Sequence, residues 1–264
     1  MRIARIAHPE GIGWAVVEDD GFDLIDDPFR TGPDDLRPVR TAHGRSHLPV
    51  SAARLLAPVQ PRTVVGMAHN TGSADRELAP EAFLKPARSV VGPGAAVELP
   101  AGVGRIDAEA ELAAVIAADG SVFGWTLAND VTARDLQATD ARWAQAKGYR
   151  TFTPCGPWIE TELDPERVQL ELVLNGQSLG SASTVHLARG AVEVLDYLGS
   201  FLPLGAQDLV LLGAPGAFGP LTAGTTVTVR SPQLGVLANP VRTGPAAAGP
   251  GTPSPLRTTS GVFA

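Results

Sequence analysis

The chain predicts an α+β fold that is mostly β, and three observations carry that prediction. Short β-favouring runs at 2–7, 14–17 and 22–25 are broken by Glu10-Gly11 and Asp20-Gly21, the turn chemistry of a small antiparallel meander. Residues 168–174 keep Val168, Leu170, Leu172 and Leu174 on one face by a period of two, and Asn175-Gly176 follows as a hairpin turn. Against these stands one amphipathic helix, 188–202, in which Ala191, Val194, Leu195, Leu198, Phe201 and Leu202 fall at helical spacing before Pro203 closes it.

In order along the chain, the meander is followed by a Pro-, Arg- and Gly-rich connector that runs from 30 to 60 and enters a new strand at 63–67. The domain boundary therefore falls near Ala57, giving a small N-terminal β domain with its connector at 1–57 and a main domain at 58–242. Strands return at 225–230 and 235–241. Beyond Arg242 the composition collapses to Gly, Pro, Ala, Ser and Thr, too little apolar surface to offset chain entropy, so 243–264 reads as a disordered tail.

Composition excludes several function classes. With 264 residues, 44% hydrophobic and 19% charged, the chain is long enough to bury a core without staples. The net charge of −7 and the absence of any Lys/Arg run argue against nucleic acid, whose phosphates need a basic footprint. No apolar stretch approaches the ~20 residues of a spanning helix, and charges interrupt the N-terminal run as no signal peptide would have it. The single cysteine, Cys155, has no internal disulfide partner and fits a reducing compartment, so a cytoplasmic location is expected.

Two motifs are decoys. Gly176-Gln177-Ser178-Leu179-Gly180 matches a nucleophile elbow, but no acid-then-histidine order follows Ser178 and the Asn-Gly turn accounts for both glycines. His43 and His47 have metal-pair spacing, yet their Gly/Arg/Ser surroundings read as a surface loop.

The segment 106–116 poses the central question. Its Ala, Glu and Leu content favours a helix, in which Glu109 and Glu111 would point apart and be solvated; as a strand it would set both carboxylates on one face, able to share a cation. On its own residues the helix is favoured. Downstream come Thr126-Leu127-Ala128-Asn129-Asp130-Val131-Thr132-Ala133-Arg134-Asp135-Leu136-Gln137 and Lys147-Gly148-Tyr149-Arg150-Thr151-Phe152-Thr153-Pro154-Cys155-Gly156-Pro157-Trp158, with Phe83-Leu84-Lys85-Pro86 upstream. An E-x-E followed about twenty residues on by N-D-V-T-A-R-D-L-Q is a specific pattern, and from 64 to 241 the chain resembles the fumarylacetoacetate hydrolase family.

That resemblance implies a mixed β-roll or β-sandwich core and a divalent cation, Mg²⁺ or Mn²⁺, held by Glu109, Glu111 and Asp130; three carboxylates without thiolate suit a hard, oxygen-loving ion. It turns 109–116 into a strand and gives Lys147 the place of a catalytic point charge beside the metal, although Lys147 before Gly148 also suits a helix C-terminus. Thr132 and Asp135 read as a capping box for a short helix whose Arg134 is structural. Arg150, Tyr149 and Lys85 are assigned to the substrate, and a homodimer is implied.

The chain also departs from the family. Where members carry N-Y-x-x-H-A-x-E, with histidine and glutamate as a base dyad, this chain reads Asn70-Thr71-Gly72-Ser73-Ala74-Asp75-Arg76-Glu77. Glu77 keeps the glutamate as a catalytic candidate, Ala74 replaces the histidine, and His69 would serve only if the loop were reshaped. Leu212-Gly213-Ala214-Pro215-Gly216-Ala217 lacks the hydroxyls of the family's T-G-T-P-x-G. The expected function is metal-dependent C–C hydrolysis or decarboxylation of a β-dicarbonyl or 2-oxo acid, a small enolisable carbonyl compound, through a metal-stabilised enolate. The alternatives are an isomerase, tautomerase or cyclase of specialised metabolism that does without the histidine, and a family member that binds without turnover.

Overall fold

A computed structural model describes residues 1–44 and 46–246. The N-terminal meander forms as expected: strands Arg2–His8, Gly11–Val17, Gly21–Ile25 and His47–Pro49 pair antiparallel in that order. It shares a sheet with the main domain, because Arg2 and Ile3 pair with Glu160 and Ile159 of strand Thr153–Glu160. From there the sheet continues through Val122–Asn129, Ile106–Ile116, Leu209–Leu211, Val64–Ala68 and Glu81–Lys85. A second sheet of five strands runs Gln177–Ser183, Gln169–Leu174, Thr226–Ser231, Gly235–Ala246, Val97–Ala101. The main core lies between the two sheets, with Leu112 and Leu127 meeting Leu170, Leu172, Val227 and Val229. Mostly β, with mixed sheets, the fold class is the one the sequence predicts.

Strand Ile106–Ile116 overturns the helical propensity of its alanines. All eleven residues are buried. Ala108, Ala110, Leu112 and Ala114 face the main core, while Ala113 and Val115 face a second cluster with Ile3, Phe29 and Ile159. Neighbouring strands pair with it on both sides along most of its length, so cross-strand packing outweighs the intrinsic preference.

The Asn-Gly hairpin is confirmed: Asn175 and Gly176 take φ of 47° and 81°, the type I′ turn that only such residues accept cheaply. Ser178 is thus an exposed strand residue, paired with Val173. The helix is shorter than its periodicity, Ala191–Gly199, and buries Ala191, Val194 and Leu198. His47 hydrogen-bonds Asp23 at 2.7 Å rather than partnering His43. The expected tail begins too early in the sequence reading: residues 243–246 extend strand Gly235–Ala246, and Thr243 and Ala246 pair with Leu99 and Ala101. Ladder hydrogen bonds hold that segment in spite of its poor side chains; 247–264 lies outside the described residues. Among those described, no helix is long and apolar enough to cross a membrane.

Candidate functional site

The period of two in strand Ile106–Ile116 puts Glu109 and Glu111 on one face, and the antiparallel pairing of Ala110 with Asn129 brings the end of strand Val122–Asn129 alongside. Asn129 accepts the Glu109 N–H at 3.1 Å, and the Asp130 N–H donates to the Glu109 carbonyl at 2.9 Å. Asp130 is thereby fixed beside the two glutamates, and one carboxylate oxygen from each of the three lies within 4.8 Å of the others. All three residues are buried.

The partners of these acids are unequal. Glu109 accepts from Arg134 at 2.6 Å, Thr132 at 3.0 Å and Lys147 at 3.0 Å. Asp130 is bridged by Lys147 and by Lys85, the latter at 2.5 Å. Among the described residues Glu111 accepts only the Gly213 N–H, at 2.7 Å; Gly213 has φ 113°, and a Cβ there would lie 2.2 Å from the Asn70 carbonyl oxygen. Burial, then the neighbouring Asp130 and Glu109, push the Glu111 carboxyl well above its ordinary value. Burial also works against ionised Asp130, but Lys147 and Lys85 hold it below the usual range. Lys147 answers in kind: burial would lower its pKa, and Asp130 and Glu109 raise it. Three hard oxygen donors converge, one of them short of partners, and such a set could hold a divalent cation.

The supporting residues differ from the sequence reading in three ways. Lys85 is buried and hydrogen-bonds Asp130 and the Val131 carbonyl, so it positions an acid instead of meeting a substrate. Helix Arg134–Gln137 has no side-chain cap; Thr132 is drawn to Glu109 and Asp135 to the Arg105 N–H at 3.3 Å. Arg134 links Glu109, Asp107 and Gln137, while Asp107 is also held by Arg105 at 2.8 and 2.9 Å. Arg134 thus ties together three polar side chains of the site and also lines the cavity.

That cavity, about 310 Å³, opens over the acids. Glu77 does not line it: the residue is exposed at the end of the 3₁₀ turn Ser73–Glu77. Asp75 lines it instead, folded back onto the Thr71 N–H and hydroxyl at 2.8 Å each. Burial opposes ionised Asp75, but these hydrogen bonds and nearby His69 bring its carboxyl below the ordinary value. Tyr149 and Arg150 are also outside, since Tyr149 packs on Phe152 at 5.2 Å and Arg150 is exposed.

Trp143, which the sequence reading passed over, and His69, which it kept only for a reshaped loop, take their place. Trp143 holds a left-handed φ of 53° ahead of helix Ala144–Lys147, and His69 one of 51° after strand Val64–Ala68. Neither is glycine, and such conformations concentrate at functional sites. Both rings line the cavity with Phe83. Local sequence carries no signal for Trp143; Asp75 and His69 were visible only as neighbours of the altered motif.

Comparison with known proteins gives the family and the fold. The profile "Fumarylacetoacetate (FAA) hydrolase C-terminal" matches residues 56–242, and the profile "Rv2993c-like, N-terminal" matches 1–58. Protein Rv2993c of Mycobacterium tuberculosis is 34% identical, covering 91% of this chain and 98% of its own length. The crystal structure of 5-carboxymethyl-2-hydroxymuconate delta-isomerase from Mycobacterium smegmatis superposes with a TM-score of 0.84 at 34% identity, covering 92% of this chain and all of that one. Oxaloacetate tautomerase FAHD2A of Bos taurus is 31% identical over 74% of this chain and 71% of its own. With the family profile spanning most of its length and a relative 34% identical over 91% of it, the chain belongs to the fumarylacetoacetate hydrolase family.

Proposed function

We propose that the protein is a divalent-metal-dependent enzyme that moves a carbon proton of a small 2-oxo acid or β-dicarbonyl compound to His69 or Asp75 on the cavity wall and returns it through the enolate. Glu109, Glu111 and Asp130 would hold Mg²⁺ or Mn²⁺, which supplies Lewis-acid polarisation of the substrate carbonyl. The observation that carries the reading is Lys147, a buried ammonium hydrogen-bonded to Glu109 and Asp130. In that place its Nζ donates to an oxygen on which negative charge develops, worth roughly 10²–10³ in rate for one such donor.

Tautomerisation or isomerisation is favoured over C–C hydrolysis. Hydrolysis needs a group that deprotonates water, and neither half of the family's base dyad is in place: Ala74 stands for the histidine and Glu77 lies off the cavity. Relatives above 30% identity named as a delta-isomerase and a tautomerase fit the same chemistry. Decarboxylation of a β-keto acid, which needs the electron sink more than the base, is the second reading.

The test is calorimetric titration of Mn²⁺ into metal-stripped protein, with Glu109→Ala in parallel, then incubation of 2-oxo acids in D₂O with product mass followed. Metal binding lost in Glu109→Ala, and metal-dependent deuterium uptake without cleavage that falls at least ~10²-fold in Lys147→Met, are expected. Mass gain of water with cleavage would restore hydrolysis; tight metal binding with no turnover would favour a binding protein.

A further inference from the structure

Three aromatic rings run from the acids toward the cavity mouth. The Phe83 ring centre lies 4.5 Å from the Lys147 ammonium, Trp143 lies 5.5 Å from Phe83, and His69 lies 5.6 Å from Trp143. Phe83 is buried and the His69 side chain is 41% exposed, so the row spans the depth of the site. Met67, Ala68 and Ala214 complete an apolar wall. Trp143 and His69 reach it from left-handed backbone positions, a cost that a merely space-filling role would not require.

Charge on the same walls points the same way. Among the described residues lining the cavity, the permanent cations are Arg134 and Lys147, and both are engaged by carboxylates of the site. Outside the three clustered acids, the carboxylate lining the cavity is Asp75, held by Thr71, and behind the His69 ring, off the cavity lining, the Glu81 carboxylate lies 3.8 Å away. A second carboxylate on a substrate would meet these acids with no free cation to receive it. A flat apolar group would meet faces and edges of rings at ordinary stacking distance.

We propose that the cavity selects a chelating 2-oxo acid or β-dicarbonyl compound whose distal end is a planar apolar group, aryl or conjugated, seated on Phe83, Trp143 and His69, and that it rejects dicarboxylates. The proposal rests on the enolate-forming reading, since the acids must anchor the chelating end.

The experiment measures binding to Mg²⁺-loaded full-length protein by calorimetry for three probes: oxalate, which has only the chelating end, phenylpyruvate and 2-oxoglutarate. Phenylpyruvate is expected to bind at least about tenfold tighter than 2-oxoglutarate, and Trp143→Leu to lower the phenylpyruvate-to-oxalate affinity ratio by roughly twofold to twelvefold, the range of an aromatic pair. Asp75→Asn, which keeps an oxygen for Thr71, is expected to strengthen 2-oxoglutarate binding, a gain that general damage would not produce. If oxalate binds but 2-oxoglutarate equals or exceeds phenylpyruvate, or if Asp75→Asn leaves 2-oxoglutarate unaltered, the selectivity is wrong and the chelating site stands. If no probe binds, oxalate included, the enolate-forming reading itself falls. Should Trp143→Leu fail to fold, Asp75→Asn and the wild-type ranking decide.

Discussion

Among the described residues Glu111 has one hydrogen-bond partner, the Gly213 N–H, while Glu109 and Asp130 are served by Arg134, Thr132, Lys85 and Lys147. A carboxyl whose folded pKa is raised favours the fold while protonated and ceases to as pH climbs through that raised value. Metal-free protein is therefore expected to lose stability from Glu111 as pH rises past the ordinary carboxylate range of about 4. Glu111→Gln keeps an acceptor for Gly213 and removes the charge, so in EDTA its thermal midpoint should exceed that of the wild type at pH 8, with the gap closing toward pH 4. With Mn²⁺ added the order should reverse, because the variant has lost a ligand. Melting curves with and without metal check both halves; a wild type that stays the more stable in EDTA at pH 8 would show that the crowding costs nothing. Cys155, by contrast, is buried among apolar side chains that push its thiol up to about 12, and it takes no part in the site.

At the scale of elements, the segment after strand Val64–Ala68 owes its path to a small buried network. Asn70 donates to the carbonyls of Arg189 and Leu212 at 3.0 and 2.7 Å and accepts the Arg189 N–H at 2.7 Å. Arg189, buried, donates in turn to the carbonyls of His69, Asp75 and Leu78. The start of the helix that follows Arg189 is thus tied to the wall that presents His69 and Asp75. Asn70→Ala leaves backbone groups of Arg189 and Leu212 buried without partners, at about 1–3 kcal/mol each. Urea denaturation should register a loss of at least about 3 kcal/mol, and hydrogen exchange should rise across 69–78. Unchanged exchange there would mean that the loop holds its shape unaided.

For the whole molecule, one sheet carries both the N-terminal meander and the strands that bear the acids, and the second sheet closes the core behind them. The last strand, Gly235–Ala246, joins that second sheet to Val97–Ala101 through parallel pairing that includes Thr243 and Ala246. A chain ending at 246 is expected to be more stable than one ending at 242 by about 1–2 kcal/mol, the worth of one or two ladder hydrogen bonds. Comparison of urea midpoints checks it; equal midpoints would make the pairing beyond Arg242 inconsequential.

What the residues determine by themselves is local: the meander turns, the Asn175-Gly176 hairpin and the apolar stripe of helix Ala191–Gly199; Glu109, Glu111 and Asp130 stand out as a set only through the family resemblance. The turns, hairpin and stripe are short-range patterns, in which a period or a turn residue already selects the backbone. Beyond what that resemblance implies, it is tertiary structure that makes 106–116 a strand, because its alanines are helix formers until neighbouring strands bury both faces. It alone decides that Asp75 rather than Glu77 faces the cavity, that Lys85 serves Asp130, and that Trp143 and His69 join Phe83. Each of those depends on where a loop or ring ends up relative to residues distant in sequence, and no local pattern encodes a distance across the fold.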